Sequence, residues 1–262
     1  MPDAGSGRGR DEFYVGYLPQ APAGLAAHVR RAMAILLISG GGAAALLAVG
    51  QPPFAPAAFE FGRPVELRGT VREGPHPILV VPRPGRGDGE GVSSYLLVER
   101  GKHGAAGAAR GLDGKPVQLE GTLIYRNGET MVELVPGSVR EEVAAGTAPA
   151  AGSAAEDLGV HTLVGEIVDS KCYLGVMNPG EGKVHRGCAT RCISGGVPPL
   201  LVTRDREGRT AQFVLVSAEA RPLNRDILDR VGEPVEVRGR VERRGDLLLL
   251  RAVPSDIRRV AG

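Results

Sequence analysis

The chain has 262 residues, with 32 lysines and arginines against 30 aspartates and glutamates, for a formal net charge of +2. A hydrophobic share of 42% with 24% charged residues excludes wholesale disorder. The near-neutral balance, without a basic cluster interleaved with aromatics, excludes a nucleic-acid-binding face. The 39 glycines and 20 prolines, beside 5 Phe, 5 Tyr and no Trp, foretell a turn-rich body.

Residues 1–31 read as a cytoplasmic tail. Within it "DEFYVGYLP" gathers Phe13, Tyr14 and Tyr17, which are candidate docking residues for a membrane-protein partner or an interfacial aromatic belt. From Ala32 to Gly50 no charge occurs. As a helix this run spans about 28 Å, close to the roughly 30 Å of hydrocarbon in a bilayer. Arg30 and Arg31 stand immediately before it, and the next basic residue is Arg63. The excess of positive charge on the N-terminal side predicts a single pass through the bilayer, the N-terminus in the cytoplasm and the rest outside. Some thirty residues precede the apolar run, which favours an uncleaved anchor over a signal peptide. A buried Gly/Ala-rich helix is the alternative.

A Pro-rich spacer (51–63) leads into a body that repeats itself. "GKPVQLEGTLIYRNGETMVELVPGSVRE" from Gly114 aligns without a gap on "GEPVEVRGRVERRGDLLLLRAVPSDIRR" from Gly232, at an offset of 118. "ELRGTVRE" around Gly69 parallels "TLVGEIVD" around Gly165 at an offset of 96, and "PILVV" from Pro77 parallels "PLLVT" from Pro199 at 122. The second copy therefore carries 26 extra residues between its first and second strands. Alternating apolar positions predict strands over about 162–168, 200–204, 211–217, 235–243 and 247–253. Asn127-Gly128 predicts a tight hairpin, and "RPLNRDILDRV" (221–231) a short helix on its Leu223, Ile227, Val231 spacing.

Five strands with a helix between the third and fourth is the order of an OB-fold barrel, whose loops commonly carry ligand contacts. The expected fold is mainly β: a transmembrane helix (32–50), then two tandem OB-like five-stranded barrels at 64–142 and 159–262, joined by a linker at 143–158. The loop "GRGDGEG" (85–91) joins two strands of the first copy, and His76, His103 and His161 read as scattered surface residues.

The insertion, 169–197, holds all three cysteines. In "KVHRGCATRC", His185, Cys188 and Cys192 stand at i, i+3 and i+7, one face of a helix if the segment is helical. Cys172 stands at the exit of the first strand, and "LGVMNPGEGK" has the glycines and proline needed to fold back. Cys172, His185, Cys188 and Cys192 are thus a candidate four-ligand set suited to Zn²⁺ or Cu(I), with Met177 a further soft donor. A structural disulfide from Cys172 to Cys188 or Cys192 is the competing reading, worth about 3 kcal/mol for a loop of this size. A Cys–His nucleophile is the third, with "ISGG" (193–196) as a source of backbone donors. Asp169 and Lys171 read as solvated loop residues, and Tyr173 as a packing anchor under the loop.

The stretch "GEIVDSKCYLGVMNPGEGKVHRGCATRCISGGVPPLLV" resembles a set of small, poorly characterised bacterial exported proteins. They share a G-x-[IV]-[VL]-D-x2-C opening, then H-x2-C-x3-C and a Gly-Gly-[VIL]-P segment; the likeness covers about residues 163–202. It implies an extracytoplasmic domain and brings no activity with it. The overall plan also looks like that of the membrane-tethered OB-fold haem chaperone of cytochrome c maturation, but that family's His and Tyr motif after the barrel is missing here. The sequence therefore predicts a protein of the bacterial inner membrane with a periplasmic body. Its expected role is that of a non-enzymatic accessory or assembly subunit of a membrane complex, for example a respiratory one, with a metal-binding or redox-sensitive loop. Its rivals are a metal or cofactor carrier and a thiol-dependent enzyme.

Overall fold

The structure is a computed structural model that describes residues 22–50, 57–82, 91–142 and 155–260. Phe13, Tyr14 and Tyr17, the 85–90 part of the Gly-rich loop and most of the expected linker lie outside these residues. Helix α1 (Ala23–Gly50) is long and apolar enough to cross a membrane, and none of its residues is buried. It starts at Ala23 rather than Ala32, so Arg30 and Arg31 lie within it. "AGLAAHVRRAM" is rich in good helix formers, and nothing in it stops the helix.

The remaining described residues are mainly β. The first copy contains β1 (Ala57–Phe59), β2 (Val65–Arg72), β3 (Ile78–Pro82), β4 (Val92–Glu99), β5 (His103–Gly104), β6 (Pro116–Arg126), β7 (Glu129–Leu134) and β8 (Arg140–Glu141). The second contains β9 (Glu156–Asp169), β10 (Pro199–Arg204), β11 (Thr210–Ser217), β12 (Pro234–Arg244), β13 (Leu247–Ala252) and β14 (Ile257–Arg259). In the second copy β9, β10, β11, β13 and β12 pair in that order and β12 returns to β9, closing a five-strand barrel. In the first sheet β6, β2, β3 and β4 are neighbours and β7 pairs with both β4 and β6.

The offsets read from the sequence reappear as strand register. Gly69 pairs with Val117 as Gly165 pairs with Val235, and Thr70 with Val80 as Glu166 with Val202. Leu79 faces Tyr95 as Leu201 faces Phe213, and Leu123 faces Val132 as Val241 faces Leu250. The parallel contact of Leu96 with Met131 recurs between Val214 and Leu249. Asn127 and Gly128 both take positive φ, 53° and 86°, in the two-residue turn between β6 and β7. The strand glycines are kept for a different reason. A Cβ on Gly69 would fall 2.5 Å from the Val80 carbonyl oxygen, and one on Gly165 would fall 2.3 Å from that of Val202.

Two expectations need correction. Residues 221–231 form only one helical turn, Leu228–Arg230. Leu223, Ile227 and Val231 are nevertheless buried, so the apolar spacing marked core positions. Short bridges from Pro222 to Val216 and from Val231 to Ile167 hold the ends of the segment to the barrel in place of helical bonds. The first strand of the second copy begins at Glu156, inside the expected linker. Asp157 and Glu156 there meet Arg240 and Arg243 across the ladder with β12, at 2.5 and 2.9 Å.

The described residues from 57 to 260 form one compact unit with three apolar cores. Tyr95, Leu97 and Val132 belong to the first interior, and Phe213, Leu215 and Leu250 to the second. The alternate residues of the same strands (Leu96, Val98 and Met131 from one copy, Val214, Val216 and Leu249 from the other) meet in a third layer between the sheets. Equivalent strands therefore bury both faces, one inward and one against the sister copy. Cys172, Tyr173, Leu174 and Cys192 belong to this shared layer.

Candidate metal centre

The insertion leaves β9 at Asp169 and rejoins the barrel at β10, and its neck is closed by the Ser170 N–H donating to the Pro198 carbonyl at 3.1 Å. A helical turn at Cys172–Val176 follows, and then helix α2 (Arg186–Ser194). His185 stands at the N-cap of α2, with Cys188 and Cys192 on the helix itself. The Asn224 side-chain amide donates to the carbonyls of Ile193 and Val197 at 2.7 and 2.9 Å, tying the end of α2 to the barrel.

The four candidate ligands fall in two overlapping groups. Ligand atoms of Cys172, His185 and Cys188 lie within 4.8 Å of one another, and so do those of Asp169, Cys172 and Cys192. Cys172 is common to both groups. Its sulfur is 4.0 Å from that of Cys188, and all three cysteines are free thiols. Cys172, Cys192 and His185 are buried, while Cys188 is half-buried.

Asp169 and Lys171 are not solvated. Asp169 is 0% exposed and Lys171 3%. One Asp169 oxygen accepts the Cys172 N–H at 2.8 Å, and the other lies 3.0 Å from His185 Nε2. A single carboxylate thus fixes the start of the loop and orients the imidazole, the carboxylate–histidine arrangement that supports metal-ligating rings. Asp169 stands three residues before Cys172, the spacing at which an Asp side chain caps a following N–H. That spacing was the available signal. Lys171 reaches into the first sheet, donates to the Glu99 and Gly101 carbonyls at 3.0 and 2.7 Å, and pairs with Glu133. Tyr173 is buried, and Arg126 lies 4.4 Å over its ring while donating to its carbonyl.

Lys102 escaped the sequence reading altogether. It belongs to the first copy, yet its ammonium donates to Cys188 Sγ at 2.8 Å and stands 3.8 Å from Cys192 Sγ. Its pKa is raised, first by that hydrogen bond and then by the nearby sulfurs against the effect of burial. The Cys172 thiol is pushed up by its hydrogen bond to Cys192, by burial and by the Asp169 charge. Cys192 is held below the usual thiol range, first by that same hydrogen bond and with help from Lys102. Beside Lys102 the copies touch backbone to backbone, the Gly104 N–H donating to the Gly195 carbonyl at 3.0 Å.

Among the other histidines, His103 and His161 are exposed as expected. His76 is not: only 5% of it is exposed, because the short turn between β2 and β3 folds it inward.

No protein-family model matches this chain. No curated protein matches it either.

Proposed function

We propose that this protein is a membrane-anchored accessory or assembly subunit whose second β unit carries a centre of three cysteines and one histidine for Zn²⁺ or Cu(I). The observation that carries the reading is the pair of overlapping groups, Cys172 with His185 and Cys188 and Cys172 with Asp169 and Cys192, that meet at the Cys172 sulfur, with Asp169 also behind the imidazole. Thiolate and imidazole donors match these borderline and soft cations. Three thiolates and a neutral imidazole around Zn²⁺ leave one net negative charge, which the Lys102 ammonium offsets. Cys188, half-buried, is the ligand by which a cation enters.

The rest of the reading follows the plan of the chain. The repeated strand circuit, with its parallel contact of β4 with β7 in one copy and of β11 with β13 in the other, favours tandem OB-like barrels. Arg30 and Arg31 favour a cytoplasmic N-terminus and a periplasmic body for a single-pass inner-membrane anchor. A membrane-protein partner, contacted through Phe13, Tyr14 and Tyr17, fits the accessory role.

The test is metal analysis of the full chain purified in mild detergent. A stoichiometric ion that is lost in Cys172→Ser supports the centre; full retention of that ion by the variant refutes it. A second reading rests on the 4.0 Å between Cys172 and Cys188 sulfurs, which suits a reversible disulfide and a redox-sensitive loop. Non-reducing mass spectrometry showing that bond, with no copurifying metal, favours this alternative. Selective alkylation of one hyperreactive thiol at neutral pH favours a thiol-dependent enzyme, with Asp169 and His185 as its orienting pair.

A further inference from the structure

A second concavity shares no residue with the cysteine cluster. The turn between β2 and β3, with the hairpin between β12 and β13, lines a cavity of about 620 Å³. That is well inside the ~300–1,000 Å³ range of small-molecule sites. Its floor is apolar and drawn from both copies: Val80 and Leu96 from one, Val214, Leu247 and Leu249 from the other, all buried.

The polar lining divides into committed and uncommitted groups. Glu73 and Asp113 are committed. Glu73 accepts the N–H groups of Leu112 and Asp113 at 2.9 and 3.3 Å, and Asp113 accepts the Glu73 N–H at 3.0 Å. His76 Nε2 and Arg244 Nε are buried atoms without a hydrogen-bond partner. Buried polar atoms are satisfied in the great majority of cases, so two orphans lining one cavity mark a place for a ligand's oxygens. Burial lowers the His76 pKa to about 4, so the ring is neutral at physiological pH. Arg244 pairs with Glu242 at 3.3 Å, but Glu242 also holds Arg251 at 2.8 Å. Glu242 is thus shared between two guanidinium groups, and the charged lining of the cavity is Arg72 and Arg244 with Glu73 and Asp113.

We propose that this cavity binds a small amphipathic carboxylate, its apolar body on the strand residues of β3, β4, β11 and β13 and its head at His76 and Arg244. The Arg244 Nε–H and the His76 ring, in its Nε2–H tautomer, donate to the two carboxylate oxygens. Ser94 is the one hydroxyl among the described lining residues and none of them is Phe, Tyr or Trp, which disfavours sugars and nucleobases.

The experiment uses the full chain in lipid nanodiscs and a dodecanoic acid bearing a photoactivatable diazirine at the end of its chain, followed by peptide mapping. Crosslinks should fall within residues 78–82, 92–99, 210–217 and 247–252. Dodecanoate should displace the probe and dodecanol should not. Arg244→Gln should weaken displacement by about tenfold or more, the scale of a hydrogen bond to a charged group, while Arg244→Lys should retain most of it. Val92→Trp, at a half-buried lining position, should block labelling while the thermal unfolding transition is kept. Crosslinks confined to residues 22–50, or labelling indifferent to Val92→Trp, would overturn the site. Equal competition by dodecanol would overturn its carboxylate specificity.

Discussion

The two copies share strands, register and close-packed glycines, and they differ most in one connection. Between β2 and β3 the chain turns back through residues 73–77; between β9 and β10 it travels through residues 170–198. The short turn tucks His76 under the sheet. The long one carries three thiols and an imidazole into the layer where the copies meet. The longer connection leaves the shared strand pairings in place, because it is confined to a loop whose neck closes on the barrel.

The largest effect that would test this contrast lies in Lys171, the residue that pins the long connection to the first sheet. Lys171→Met leaves Glu133 in a largely buried place without its cation. It should cost about 3–5 kcal/mol, read by denaturant unfolding of the full chain. Adding Glu133→Leu should recover most of that loss; no recovery would mean that the pair is not the bolt between the copies.

A second test transplants a residue between copies. Glu129 opens β7 at the position that Leu247 fills in β13. Burial, aided by the Asp246 charge, raises its pKa to about 7. The folded state therefore binds more protons than the unfolded state between roughly pH 4.5 and 7, and stability falls as pH rises through that window. Glu129→Leu should abolish this slope and stabilise the neutral-pH protein by up to about 3 kcal/mol. His76 has the opposite sign: its lowered pKa costs stability as pH falls from about 6.5 to 4. In Glu129→Leu the His76 slope should emerge more strongly in a pH series of urea midpoints, offset only by Glu166, whose pKa burial also raises.

The smaller effects concern the ligand cluster and the glycines. Asp169→Asn keeps the shape but weakens the hold on His185, and metal affinity should fall about 10–100-fold by chelator competition. An unchanged affinity would remove Asp169 from the centre. Gly165→Ala should cost about 1–3 kcal/mol, because its Cβ meets the β10 backbone. Gly69→Ala should match it closely; a large disparity would argue that the copies pack differently despite their common register.

Much of this was written in the sequence, and what was not has physical causes. The offsets of 96, 118 and 122 foretold which residues pair, because register follows the pattern that buries one face. The i, i+3, i+7 spacing located His185, Cys188 and Cys192 because helical geometry is local. The continuous apolar runs "SYLLV" and "QFVLV" also held information, since strands covered on both faces lose alternation. Residues 221–231 misled because their apolar spacing reported burial, and burial alone does not choose helix over a bridged turn. Lys102 had no signal at all. It comes from the other copy, and only tertiary contact brings its ammonium to the sulfurs.

The meeting of Gly104 with Gly195 has a consequence for how the copies can evolve. A methyl on Gly195 would sit 1.9 Å from the Lys102 carbonyl oxygen, and one on Gly104 would sit 2.1 Å from that of Gly196. Main chain rests on main chain there, with no side chain to trim or rotate. Neither half can gain a side chain at this joint without prying the other away.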